Sequence, residues 1–222
     1  MKRLIIIGLA LLIAAPSIDA RRKSAKSGTL ENGVFTDAEY GFQLTVPDSW
    51  KAKLGKEKDD VRLLLTKRNY DIPADYIDVP DYTQIPMVTV YVDTTTLGEH
   101  AFLDSLLSPD FNSDQKKGIL KEFSILNERD LVPKKRSRLE IGGEAGLLWT
   151  AEAKYMKEIQ TSMGSASGMR VRRSYGGAVA AVKKDNMIVL FHVMTEYEYF
   201  DPIMAEVSQI IQSLKFTGED EG

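Results

Sequence analysis

The chain has 222 residues, of which 43% are hydrophobic and 27% charged, and this is typical of one globular domain with a targeting segment. Its formal net charge of −3 argues against nucleic acid as a partner, because domains that bind nucleic acid usually carry a basic surplus. The lack of cysteine excludes disulfides, thiol catalysis and thiolate metal sites.

The first 20 residues have the pattern of a signal peptide. Lys2 and Arg3 precede the apolar run Leu4–Ala15, which is shorter than the roughly 20 residues that span a bilayer. Cleavage is predicted near Ala15 or Ala20, and the mature chain is then expected outside the cytoplasm, either periplasmic or secreted. A short uncleaved anchor is the alternative.

Residues 21–32 are basic and then rich in serine and glycine, which predicts a flexible linker. We place a single domain at residues 33–217 and a short acidic tail at residues 218–222. Alternation of apolar and polar residues predicts the first strands of the domain. They are Val34–Thr36, Phe42–Val46, a strand that begins at Trp50, and Val61–Thr66.

Arg68–Gln84 is predicted as a long loop, and loops of this length usually have a function or are mobile. Its carboxylates could hold calcium through oxygen ligands, although their spacing matches no calcium-loop motif. Tyrosines among acidic residues also suit a protein-contact surface, and a solvated insertion is the third interpretation. The weak calcium candidates are Asp71, Asp75, Asp78 and Asp81, and the candidate partner-binding residues are Tyr70, Tyr76 and Tyr82.

A strand at Met87–Asp93 and two helices, Glu99–Leu107 and Ser113–Phe123, are predicted next. Ser113 suits the cap of the second helix. Together with Lys116 it also matches the Ser-x-x-Lys nucleophile motif of penicillin-binding proteins. The partner motifs of those enzymes are missing from the sequence, so we interpret Ser113 as a helix cap.

A basic cluster follows Pro133 and precedes a predicted strand at Leu147–Tyr155. We interpret it as an exposed sheet edge that lysines keep soluble, with an anionic partner as the alternative. A second basic patch lies at the start of a later strand that opens near Met169, and we interpret it as a solvated or salt-bridged strand, with a contact patch as the alternative. The candidate partner-binding residues are Lys134, Lys135, Arg136 and Arg138 in the cluster, and Arg170 and Arg172 in the patch.

The end of the chain has the clearest pattern. Ala178–Val182 and Met187–Met194 are apolar on both alternating faces, which predicts adjacent antiparallel strands in the middle of a sheet. Asp201 and a following proline favour a helix start, and the apolar stripe of this helix must pack on the sheet. His192 is expected to be a core residue, since a metal site needs several ligands brought together.

Several of these features together resemble the PsbP-like fold family. They are Tyr40–Phe42, the alternating strand that Pro47 ends, Trp50, and the late hairpin and helix that finish at Ser213–Phe216. The family includes a photosystem II extrinsic subunit, a nuclear import factor and bacterial envelope proteins. The resemblance, over residues 34–216, implies an α+β domain: a twisted, mostly antiparallel sheet with helices packed on it, in a PsbP-like α/β/α sandwich.

Members of this family are mostly binding or assembly modules, so the resemblance implies a protein that is not an enzyme. We therefore predict a non-catalytic extracytoplasmic module, without a cofactor, that docks on another envelope protein. We expect the module to lie near the membrane without binding to it. The sequence does not indicate the oligomeric state. The alternative is an envelope protein that binds a small ligand or calcium.

Overall fold

The computed structural model describes residues 25–70, 86–108, 114–123, 131–159 and 169–217, and it describes only the backbone of residues 122, 154–159 and 169–173. The predicted signal peptide, the predicted cap Ser113 and the acidic tail lie outside the described residues.

Six short strands form the first half of the described chain: β1 Thr29–Glu31, β2 Val34–Asp37, β3 Phe42–Thr45, β4 Trp50–Leu54, β5 Val61–Lys67 and β6 Met87–Thr94. Two helices follow, α1 Glu99–Leu107 and α2 Asp114–Glu122. Four longer strands come next: β7 Leu131–Ile141, β8 Glu144–Ile159, β9 Met169–Lys184 and β10 Met187–Glu196. A 3₁₀ turn at Tyr197–Tyr199 leads into helix α3 Phe200–Gln212, and the strand β11 Lys215–Phe216 comes last.

The strands form two antiparallel sheets, which confirms the predicted α+β fold with a mostly antiparallel sheet and packed helices. The large sheet has the order β4-β5-β6-β10-β9-β8-β7, and the small sheet has the order β1-β2-β3-β11. The predicted adjacent strands β9 and β10 are confirmed in the middle of the large sheet. The turn between them contains Asp185 at a φ of 53°, a conformation that aspartate tolerates.

The middle of the large sheet is buried on both faces, and this explains why the segments Ala178–Val182 and Met187–Phe191 are apolar at every position. On one face, α3 and the small sheet pack on alternate residues of β10 such as Phe191. On the other face, α1 and α2 pack on the intervening residues such as Leu190. The result is the predicted α/β/α sandwich. None of the described helices is long and apolar enough to cross a membrane.

The predicted flexible linker at residues 21–32 is wrong for its described part, residues 25–32. Ser27 is 4% exposed, and β1 pairs with β2. Asn32 and Gly33 connect these strands with φ angles of 50° and 76°, and an Asn-Gly pair with two positive φ angles is a strong hairpin signal. The domain therefore begins before residue 33.

The predicted start of the last helix is also corrected. Tyr199 occupies the cap position of α3 and its side chain makes no capping hydrogen bond, while Asp201 lies in the first turn. The helix begins earlier than expected because the 3₁₀ turn at Tyr197–Tyr199 continues directly into it. The carboxylate of Asp201 still suits the positive end of the helix dipole.

Candidate functional site

The predicted site residues form three groups, which are the candidates in the long loop, the basic patch at the start of β9 and the basic cluster on β7. Most of the loop candidates, which are Asp71, Asp75, Asp78, Asp81, Tyr76 and Tyr82, lie outside the described residues. Tyr70 is half-buried, and its ring meets the Tyr199 ring edge-on with centroids 6.2 Å apart. In the β8–β9 ladder, Arg170 pairs with Glu158 and Arg172 with Met156. The third group is the basic cluster on β7.

The basic cluster lies on the outermost strand of the large sheet, which confirms the predicted exposed edge. We call Val132, Lys134, Lys135, Arg136, Arg138 and Tyr197 the edge-strand surface. Lys134 Nζ lies 2.7 Å from Glu152 Oε2, and Arg136 Nη1 lies 2.8 Å from Asp104 Oδ1. Lys135 and Arg138 are exposed and make no ion pair with the described side chains. Two of the four cations are therefore neutralised locally and two are not.

Exposed apolar side chains lie on the same strand and next to it. Val132 is 39% and Tyr197 42% exposed, and Lys134 Nζ lies 5.6 Å from the centre of the Tyr197 ring. A hollow of about 240 Å³ opens here, lined by Lys134, Thr150, Ala151, Tyr197, Phe200 and Asp201. The hydrogen bond and charge of Glu152 raise the pKa of Lys134 above its ordinary value. The edge-strand surface thus combines cations with accessible apolar area.

The backbone of β7 is poorly suited to pairing with a further strand. Pro133 has no N–H to donate, and the β7–β8 register shifts between Pro133 and Lys135. Proline, bulges and lysines are the features by which natural sheets protect their edges. A partner would therefore contact this surface through its side chains.

A second surface comes from residues that belong to no sequence motif. A groove of about 670 Å³ lies between the β4–β5 hairpin and α2. Five exposed lysines line it, and we call it the lysine groove: Lys26, Lys53, Lys56, Lys58 and Lys121. These lysines come from three separate parts of the chain. Only the tertiary structure brings them together.

A buried arginine organises one wall of the lysine groove. Arg62 is 1% exposed, and its Nε donates to Asp37 Oδ2 at 2.6 Å. Its Nη2 donates to Glu39 Oε2 at 2.7 Å. Its Nη1 donates to the backbone oxygens of Glu57 and Asp59 at 2.8 and 3.1 Å. The guanidinium therefore fixes the turn that carries Lys56 and Lys58.

The same arginine holds the segment before β1 against that turn. Arg62 Nη2 donates to the Ser27 carbonyl oxygen at 3.0 Å, and Ser27 Oγ donates to the Arg62 carbonyl oxygen at 2.5 Å. The backbone N–H of Glu57 donates to the Ala25 oxygen at 2.9 Å. Burial alone would lower the pKa of Arg62, but Asp37 and Glu39 raise it above its ordinary value. The guanidinium remains charged, and these contacts place Lys26 at the groove.

The histidine in the core is enclosed, in agreement with its predicted role as a core residue. His192 is 2% exposed, and its ring stacks on Phe123 with centroids 4.7 Å apart. Nε2 of His192 is buried and makes no hydrogen bond with the described residues, and burial lowers the pKa of this side chain to about 3. The described part of the chain contains no group of three or more histidine, cysteine or acidic residues placed to hold a metal ion.

No family model and no curated protein matches the sequence. Among solved structures, the chain is similar to cyanobacterial PsbP from Synechocystis sp. PCC 6803, with 9% identity, a TM-score of 0.49, and coverage of 82% of this chain and 91% of that chain. It is also similar to LpqN, a protein involved in cell envelope biogenesis of Mycobacterium tuberculosis, with 14% identity, a TM-score of 0.46 and coverage of 80% and 83%.

A third similar structure is the Ran-binding protein Mog1p of Saccharomyces cerevisiae. It has 7% identity and a TM-score of 0.43, with coverage of 85% of this chain and 96% of that chain. PsbP, whose fold the sequence resembles, is thus among the similar structures. The likeness concerns the fold alone.

Proposed function

We propose that this chain is a non-catalytic extracytoplasmic module that docks on another envelope protein through the edge-strand surface. The observation that supports this best is that β7 carries exposed Lys135 and Arg138, without ion-pair partners among the described residues, together with exposed Val132, and that exposed Tyr197 lies against Lys134 of the same strand. Protein interfaces are enriched in tyrosine and arginine. Because complementary charges guide docking, the matching surface of the partner is acidic.

The non-catalytic part of the proposal is supported by the state of His192. Histidine is the side chain best suited to acid–base chemistry near neutral pH. In this fold, His192 is enclosed against Phe123, and burial lowers its pKa to about 3. It stays neutral and shielded from solvent at neutral pH, so it is unsuited to exchanging protons with a substrate.

The extracytoplasmic location rests on the signal-peptide pattern of the first 20 residues. Sequencing the N-terminus of the protein isolated from its own cells tests this part. We expect the chain to begin at Pro16 or Arg21 and to be found in an extracytoplasmic fraction. A cytoplasmic protein that begins at Met1 would contradict the proposed location.

Docking is tested by cross-linked capture of the mature protein in its own cells, followed by mass spectrometry. The test variant is Lys135→Glu/Arg138→Glu, which reverses the two unpaired charges of the edge-strand surface. The control variant is Lys51→Glu/Lys215→Glu, which makes the same change in charge at exposed positions outside this surface. We expect the control to capture the same dominant partner as the parent protein and the test variant to lose it.

Thermal unfolding of both variants shows whether the fold is retained, since exposed substitutions usually change stability by less than about 0.5 kcal/mol. Equal capture by the test and control variants would show that the edge-strand surface is not the docking site. Steady turnover of a substrate by the purified protein would contradict the non-catalytic assignment.

A further inference from the structure

The lysine groove has a strong local surplus of positive charge in a chain whose net charge is −3. Its five lysines make no ion pairs with described side chains, and the acidic residues in its lining are Asp59 and Asp60. Asp60 Oδ2 accepts a hydrogen bond from the Tyr91 hydroxyl at 3.1 Å. Like charges brought together around one concave surface repel each other, and a bound anion would relieve this repulsion.

The floor of the groove is partly apolar. Leu54, Val61 and Leu64 line it and are half-buried. An apolar floor with charges at the rim suits a ligand that has an apolar body and an anionic head. Ligand pockets in proteins generally combine apolar walls with a few polar groups, and their volumes are about 300–1,000 Å³. The groove, at about 670 Å³, lies within that range.

A glycine keeps the helical wall of the groove open. Gly118 lies inside α2 and lines the groove, although glycine is less favourable than alanine in a helix interior. A Cβ atom added at Gly118 would meet the Tyr91 hydroxyl oxygen at 3.6 Å, which is an ordinary contact distance. Packing therefore does not require glycine at this position. The absence of a side chain leaves room in the groove.

We propose that the lysine groove binds a small amphiphilic anion, in which an apolar body carries a phosphate or a similar anionic group. The hydrogen bonds of Arg62 to the turn at Glu57 and Asp59 hold the wall before a ligand arrives, which reduces the ordering that binding would require. The groove lies at the β4–β5 end of the large sheet, and the edge-strand surface lies at the opposite end, on β7. The two proposals are therefore independent.

Isothermal titration of the mature protein with dodecyl phosphate, kept below its micelle concentration, tests the site. Inorganic phosphate supplies the charge alone, and dodecyl maltoside supplies the apolar chain alone. We expect saturable one-to-one binding of dodecyl phosphate, about tenfold tighter than that of either control compound, since the site recognises both parts. Lack of saturable binding of dodecyl phosphate would overturn the proposal.

Two pairs of variants locate the site. Lys53→Glu/Lys56→Glu should weaken binding about tenfold or more, whereas Lys135→Glu/Arg138→Glu should leave it unchanged. Gly118→Leu fills the groove without changing any charge and should also weaken binding.

Gly118→Ala is the matched control for Gly118→Leu and should bind nearly as the parent does. Unchanged affinity in both Lys53→Glu/Lys56→Glu and Gly118→Leu would overturn the assignment to this groove. Sedimentation with phosphatidylcholine vesicles, with and without phosphatidic acid, distinguishes a lipid head group from a soluble ligand of the same chemistry.

Discussion

Removal of the Asp37 carboxylate should destabilise the domain strongly, because it leaves the positive charge of Arg62 buried without its counter-ion. Asp37 is 0% exposed, and it accepts hydrogen bonds from Arg62 Nε at 2.6 Å and Nη2 at 3.3 Å. It also accepts the backbone N–H groups of Glu39 and Tyr40 at 3.1 and 3.2 Å. In Asp37→Ala, the enclosed guanidinium loses its buried counter-ion. Breaking a buried ion pair in this way costs about 3–5 kcal/mol.

Glu39 provides a matched control on the same guanidinium. Its side chain is 53% exposed and lies 2.7 Å from Arg62 Nη2. Water already reaches the Glu39 carboxylate and can take its place beside Arg62 Nη2. Glu39→Ala should therefore cost less than about 1 kcal/mol of stability. The contrast between the two variants measures the effect of burial, since both remove one carboxylate from the same partner.

Urea unfolding followed by tryptophan fluorescence measures this contrast, since Trp50 and Trp149 are buried. The free energies of unfolding come from linear extrapolation to zero denaturant. A loss of about 3–5 kcal/mol lowers the melting temperature of a domain of this size by about 6–20 °C. Equal losses in Asp37→Ala and Glu39→Ala would refute the reasoning, because they would show that burial of the Asp37–Arg62 pair adds nothing.

Two further predictions concern single positions. Burial lowers the pKa of His192 to about 3 from its ordinary value of 6.5, so the unfolded chain takes up a proton first as the pH falls. The titration of His192 should therefore lower the free energy of unfolding by about 2 kcal/mol from pH 7 to pH 5. Urea titrations of His192→Leu should show a decrease that is smaller by this amount. At Gly55, an added Cβ would lie 1.8 Å from the Val61 oxygen, so Gly55→Ala should cost about 1–3 kcal/mol. At Gly98 an added Cβ meets no atom within 4 Å, so Gly98→Ala should have the same free energy of unfolding as the parent. Equal losses of stability in Gly55→Ala and Gly98→Ala would contradict the prediction.

Elements with strong local signals could be predicted from the amino-acid sequence. Ala178–Val182 in β9 and Met187–Phe191 in β10 are apolar at every position, so the burial of these segments on both faces could be predicted without knowing their neighbours. The lysines and Pro133 on β7 predicted a sheet edge for a similar reason, since these residues are tolerated there and disfavoured within a sheet. The Asn32–Gly33 pair was also a usable local signal for the first hairpin, although the composition around it suggested a linker.

The fixed conformation of residues 25–28 and the lysine groove both depend on contacts between distant parts of the chain. Ser27 is held by Arg62, which lies 35 residues away in the sequence, so no local pattern could show that this segment is ordered. Arg62 itself is a polar residue in an apolar strand, and its burial depends on Asp37 from another sheet. Lys26, Lys53 and Lys121 look like ordinary solvated charges along the sequence. The periodicity of apolar residues shows which side of a helix or strand is buried. Which distant side chains meet depends on how these helices and strands pack together.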